Sequence, residues 1–240
     1  MKLTVLAQIL FISLVQNIHA DDASCAPLTR ISQRAWIHSS FQTISGYRIG
    51  SNGLVIDTSA GVVLIDTCWN DRQTEFLLAN IRQQLRKRVI LAVITHAYVD
   101  RIGGIGTLRR NGIKVTSTTE TSDCVRQGGF MVPSPELSPK ETVIREGDVA
   151  IEVYYPGPGH TKDNITVWLA DDRVLFGGCL IKSKESTDLG NVADADVVHW
   201  ASSVKNLKSK FSNAKIVVPG HGSAGTIELL QHTIDLCPFK

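Results

Sequence analysis

Apolar runs and helical stripes alternate along this chain, and their order predicts an α/β protein. Val89-Ile90-Leu91-Ala92-Val93-Ile94 is continuously apolar and rich in β-branched residues, the pattern of a strand buried on both faces. Val62-Val63-Leu64-Ile65 and Ile216-Val217-Val218-Pro219 read the same way. Strands are also predicted from Ala35-Trp36-Ile37-His38, over 53–57, 114–118, 141–144 and 150–155, and as a hairpin over 164–170 and 173–176. The Gly-containing polar stretch 39–50 reads as a connection whose part near 43–48 projects as a flap. Phe76, Leu77, Ile81 and Leu85 recur at helical spacing behind the cap Asn70-Asp71, which predicts a helix to about residue 87. The charged run 82–88 reads as its solvated face. Val197, Trp200, Val204, Leu207 and Phe211 predict a helix over 193–211. Shorter helices are expected after Gly103-Gly104, over 120–126 and over 226–236. Pro133, Pro135 and Pro139 mark a surface crossing near mid-chain, beyond which strands begin again. Strands followed by strand–helix alternation thus occur twice, which favours two α/β halves packed sheet to sheet with helices outside.

The N-terminus does not share this pattern. A basic start, an apolar stretch over 3–15 and Ile18-His19-Ala20 describe an export signal with cleavage after residue 20. The apolar stretch is too short to span a bilayer. Asp22-Ala23-Ser24-Cys25 only faintly resembles a lipid-attachment site, because Asp22 stands where an apolar residue is wanted. The mature chain therefore reads as periplasmic, free of the membrane and monomeric. A formal net charge of +2 and no basic stripe with interleaved aromatics exclude nucleic acid as a partner. Five cysteines leave at least one thiol unpaired in an exported protein. Cys25 and Cys237 lie near opposite ends of the mature chain and can pair; Cys68 and Cys124 read as buried residues; Cys179 is the candidate functional thiolate.

Metal-capable side chains recur in one kind of place. His96 and Asp100 lie four residues apart just after the 89–94 strand, and His160 and His221 stand in Gly-rich loops after two further strands. Cys179 follows Phe176-Gly177-Gly178. The ends of buried strands are where α/β sheets place their chemistry. Imidazoles, a carboxylate and a thiolate suit zinc better than calcium or magnesium. Catalytic zinc needs about three protein ligands, a count that Asp100, Cys179 and His221 satisfy, with His96 and His160 beside them. His38, His199 and His232 read as strand and helix-surface residues.

These loops, with Ser51-Asn52-Gly53-Leu54-Val55, Leu64-Ile65-Asp66-Thr67, Pro156-Gly157-Pro158-Gly159-His160-Thr161 and Asp163-Asn164, make the chain resemble a class B metallo-β-lactamase. Gly177-Gly178-Cys179-Leu180-Ile181-Lys182, Leu189-Gly190-Asn191 and Pro219-Gly220-His221-Gly222 continue the resemblance in family order across nearly the whole mature chain. It resembles the subclass with a three-histidine site beside an Asp-Cys-His site. The resemblance implies the αβ/βα sandwich of that family as a single domain over 21–240, and zinc-dependent hydrolysis of the amide bond of β-lactam antibiotics. By metal chemistry alone, Asp100 is placed to orient or deprotonate a zinc-activated water, with His160 or His96 assisting. The resemblance adds the substrate contacts. It makes Lys182 the clamp for the substrate carboxylate and puts Asn191 near the lactam carbonyl.

One position departs from the pattern. Tyr98 stands where the family motif His-x-His-x-Asp has its second histidine. His96 and His160 then match two ligands of a three-histidine site whose third is missing, while Asp100, Cys179 and His221 match a complete one. A phenol with a pKa of about 10 is a poor ligand at neutral pH. One zinc is therefore expected to bind firmly and a second weakly or not at all, with Tyr98 free to coordinate or to donate a hydrogen bond to substrate. The competing readings are a thioesterase-like hydrolase and a metal-binding relative without turnover. Asp100-Arg101, where glyoxalase-II-like enzymes carry Asp-His, opposes the first; Tyr98 sustains the second.

Overall fold

The computed structural model describes residues 27–240. The leader and Cys25, with its possible pairing to Cys237, lie outside the described residues. Seven strands form the first sheet in chain order: β1 (Leu28–Arg30), β2 (Ala35–Ile44), β3 (Tyr47–Asp57), β4 (Val62–Ile65), β5 (Val89–Val93), β6 (Lys114–Thr118) and β7 (Ser134–Leu137). β1 to β4 pair antiparallel, and β4 to β7 parallel. The second sheet contains β8 (Glu141–Glu146), β9 (Val149–Tyr154), β10 (Thr166–Leu169), β11 (Val174–Gly178) and β12 (Ile216–Pro219), in the order β12-β11-β10-β9-β8. Here too the antiparallel strands come first and the parallel pair, β11 with β12, comes last.

Burial explains this layering. Alternate residues of β9 (Val149, Ile151 and Val153) face the other sheet, and with Leu54, Ile65, Val93, Val167 and Phe176 they form the core between the sheets. The opposite face of the first sheet buries Val55, Leu64, Ala92 and Ile94 against helices α1 (Asp71–Leu85), α2 (Val99–Ile102), α3 (Ile105–Arg110) and α4 (Thr119–Gln127). The second sheet does the same with α5 (Trp200–Lys210) and α6 (Glu228–Leu236). Central strands are therefore apolar on both faces, which made them legible as continuous runs. The result is the expected sandwich of two similar halves.

Several elements differ from expectation. The 39–50 stretch is a continuous ladder up to the pair Ile44↔Tyr47, so the flap is a hairpin arm closed by the turn Ser45-Gly46. The proline-rich crossing contains β7, an edge strand, where Pro135 lacks only a donor that an edge can spare. Phe76 is exposed, and α1 turns Gln73, Thr74, Leu77 and Ile81 inward. The helix after the central motif is two short pieces. A Cβ at Gly104 would stand 1.8 Å from Thr74 Oγ1, so this break lets α1 approach closely. Finally, α5 begins at Trp200 instead of residue 193. The Asp196 carboxylate accepts from the His199 backbone N–H (3.0 Å) and is paired with His199 Nδ1 (2.8 Å), and Asn191 Oδ1 accepts from Ala193 N–H (3.1 Å). Such side-chain turns compete with the helix and leave 191–199 as a loop over the sheet edge.

Candidate metal centre

Strand ends from both halves meet at that edge. Asn52 in β3 donates its N–H to the Gly220 carbonyl (2.8 Å) and its amide to Gly222 O (2.8 Å), which ties the halves together beside His221. After β5, the Thr95 N–H and hydroxyl both donate to the buried Asp66 carboxylate (2.8 Å each), and the Thr95 hydroxyl contacts His96 Nδ1 at 3.3 Å. This turns His96 Nε2 away from Thr95. Asp100 stands on the first turn of α2, not in a loop, and His160 lies in the connection from β9 to β10. There the Asn164 side chain accepts from the Thr161 N–H (3.1 Å) and donates to Gly157 O (2.9 Å). Gly178, at φ 55°, turns the chain so that Cys179 leaves β11 toward the edge.

All five metal-capable residues named from sequence converge there. Cys179 Sγ lies 3.2 Å from His221 Nε2, which lies 3.5 Å from Asp100 Oδ2. His221 Nδ1 is fixed by Gly50 O at 2.7 Å. The donor atoms of Asp100, Cys179 and His221 lie within 4.8 Å of one another, and so do those of His96, His160 and Cys179. Asp100, His160, His221, Lys182, Asn191 and Tyr98 line one cavity of about 720 Å³, a size suited to a small-molecule ligand. A second hollow of about 660 Å³, outside α1, is lined by Glu75, Arg82, Lys87 and Arg88 and by no histidine or cysteine. His38 is instead a buried structural residue bonded to Ile65 O, His199 is exposed and His232 is half-buried against Ser186 O. Of the remaining cysteines, Cys68 is buried as expected and Cys124 half-buried.

Arg101 has no accessible side-chain surface and bridges two of these residues, Asp100 and Cys179. One of its amino groups reaches Cys179 Sγ (2.9 Å), Asp100 Oδ2 (2.9 Å) and Gly220 O (3.0 Å), and the other bonds Asn52 O and faces Asp66 Oδ2 at 3.5 Å. Burial alone would push the Cys179 thiol up, but Arg101 and His221 outweigh it and hold the thiol well below its ordinary value. Cys179 is thus poised as a thiolate. Burial pushes His160 down, leaving a neutral imidazole, and burial likewise lowers Lys182. Sequence reasoning gave Arg101 no structural role, because a four-residue helix carries no periodicity that would mark a buried charge.

Tyr98 occupies the corner where a third imidazole would stand. Its ring lies 5.3 Å from that of His96 and 5.0 Å from that of His160, centroid to centroid. Its hydroxyl donates to Asp194 Oδ2 (2.7 Å), and both residues line the cavity. Burial and then Asp194 push its ionisation up, so it remains a neutral phenol. The hydroxyl is thus engaged by Asp194 in this structure.

The donor set fits zinc on an independent observation. His96 Nε2 and both His160 nitrogens are buried without a hydrogen-bond partner, a costly state for polar atoms unless an ion satisfies them. Two mixed sheets packed face to face thus gather such donors at one shared edge, the architecture of an αβ/βα metal-binding protein. The chain belongs to the metallo-beta-lactamase superfamily, whose family model matches residues 46–221. It is 40% identical over 236 residues to the metallo-beta-lactamase type 2 of Bacillus cereus, covering 94% of this chain and 92% of that one. It is 37% identical to the type 2 enzyme of Bacteroides fragilis, covering 89% and 85%. Among solved structures it resembles a metallo-beta-lactamase from Pontibacter korlensis, with a TM-score of 0.85, 38% identity and coverage of 90% and 100%. It also resembles FIM-1 from Pseudomonas aeruginosa in the mono-zinc form, with a TM-score of 0.83, 34% identity and coverage of 89% and 95%.

Proposed function

We propose that the protein hydrolyses the amide bond of β-lactams with one zinc held firmly by Asp100, Cys179 and His221. The observation that carries this reading is that these three donors converge around a cysteine kept as a thiolate by Arg101. Bound there, zinc supplies Lewis acidity and brings water's pKa to about 7. The other tasks fall to the chain. Asp100 Oδ2 also accepts from Ser51 Oγ (3.2 Å), which sets the carboxylate to orient water and take up a proton. His160, neutral beside the cavity, can accept or relay a proton. The Lys182 ammonium lies 5.1 Å from the centroid of the Trp200 ring and lines the cavity, suiting it to bind a substrate carboxylate. Asn191 spends its side-chain oxygen on Ala193 N–H, leaving its amide hydrogens for the lactam carbonyl. The hairpin residues Ile44 and Ile49 supply an apolar wall.

The leader pattern supports export to the periplasm, and no helix among the described residues is long and apolar enough to cross a membrane. Metal analysis of the mature protein beside a lactam hydrolysis assay tests this function. About one zinc and measurable turnover are expected, and Cys179→Ser should remove both while preserving the fold. Retention of two equivalents after dialysis against a weak chelator would overturn the stoichiometry; a zinc-loaded protein inert toward lactams would overturn the activity.

A further inference from the structure

The imidazoles of His96 and His160 neighbour the same sulfur that completes the first ligand set. The donor atoms of His96, His160 and Cys179 lie within 4.8 Å of one another. A tetrahedral metal with bonds of about 2.0–2.3 Å holds its ligands roughly 3.3–3.8 Å apart, so modest side-chain rotation closes this triad. His96 and His160 are themselves ring neighbours, with centroids 5.1 Å apart and planes at 85°. Both are buried, and three of their four ring nitrogens lack a partner. Tyr98 fills the third corner with a hydroxyl that is occupied by Asp194.

We infer that Cys179 is shared by two overlapping metal seats, Asp100–Cys179–His221 and His96–His160–Cys179, which the protein fills one at a time. The inference rests on the one-zinc reading above and adds where else that zinc resides. The surroundings of Cys179 Sγ account for the exclusivity. The Arg101 guanidinium is 2.9 Å from it, and a Cβ placed on Gly220 would be only 2.6 Å away. With one side walled by backbone and one lone pair engaged by Arg101, the sulfur serves a single metal. The seats also differ in what they leave free. Metal in the second releases Asp100 and His221 from ligation, so the position of the metal decides which side chains remain to move protons.

Cobalt(II) reads the seats directly, because a cobalt–thiolate bond gives a near-ultraviolet charge-transfer band. The parent should bind one cobalt with this band. His221→Ala and His221→Asn should still take up one cobalt at micromolar concentration with the band retained, at a reduced affinity. Asn can keep a hydrogen bond toward Gly50 O, which protects the local fold if Ala does not. Adding His160→Ala to either variant should abolish the band. A folded His221→Asn protein without the band, beside a parent that binds one cobalt, would overturn the second seat alone. So would a band that survives the added His160→Ala. Two tight equivalents in the parent would overturn both the exclusivity and the one-zinc reading, whatever the lactam assay shows.

Discussion

Arg101→Met is the most informative single perturbation, because Arg101 balances charges that zinc also balances. In the folded, metal-free protein its guanidinium is the positive partner of Asp66, Asp100 and the Cys179 thiolate, with side-chain exposures of 0% for Arg101, 0% for Asp66 and 5% for Asp100. Methionine keeps most of the volume and removes the charge. Removing one partner from a buried ionic network costs about 3–5 kcal/mol, since the anions stay behind uncompensated. The metal-free variant should therefore lose about that much in urea unfolding. Zinc on Asp100 and Cys179 supplies the missing positive charge, so the zinc-loaded variant should lose less. The thermodynamic cycle then requires the folded variant to bind zinc more tightly than the parent, by at least about tenfold for each 1.4 kcal/mol of difference between the two losses. Chemical unfolding with and without chelator, and a zinc competition titration, measure all four edges. Equal losses in both forms, or weaker zinc binding by the variant, would refute the argument that Arg101 and the metal do the same electrostatic work.

Three other outcomes follow from the same geometry. Tyr98→His should rebuild a three-histidine site and take up a second zinc without competing for Cys179; a folded variant that keeps its first zinc and binds no second at micromolar metal would show that the site differs at more than this position. Lys182→Ala should raise KM by about 10–100-fold with a smaller effect on kcat, as expected when a charge-assisted contact is made alike in ground and transition states; a fall in kcat at constant KM would move Lys182 into the chemistry. His38 is lowered by burial from 6.5 to about 4, its Nδ1 has no partner, and its Nε2 faces Ile65 O. The folded state thus favours the neutral ring, and about 3 kcal/mol of stability present above pH 6.5 is lost as pH falls toward 4. Unfolding of chelator-treated protein across that window should show the slope, and His38→Gln should flatten it.

The layered architecture was legible because strands buried on both faces must be written as unbroken apolar runs: Val62 to Ile65, Val89 to Val93 and Ile216 to Pro219 all lie where their pattern predicts. The metal-capable residues were legible for a related reason. His96, His160, Cys179 and His221 are chemically conspicuous and sit directly after such strands, and the resemblance ordered them into sets. Helix and arm boundaries were less so. The stripe from Val197 to Phe211 looked like one helix from residue 193, but Asp194 and Asp196 are claimed by Tyr98 and His199, a choice settled by contacts 96 and 3 residues apart. The ladder through Ile44 and Tyr47 arises from cross-strand pairing that a polar, Gly-containing stretch does not announce.

The sequence by itself determined which chemistry is available: a thiolate-capable cysteine, a carboxylate and three imidazoles, with a phenol in place of a fourth ring. Only the tertiary structure decided how those groups share one another. Arg101 pairs with Asp66, Asp100 and Cys179 across separations of up to 78 residues, and Cys179 meets both ligand sets at once. Residue types and spacing encode local periodicity. The sharing of one sulfur between two groups of donors depends on where two separate sheets place their strand ends, and that is set by the packing of the halves.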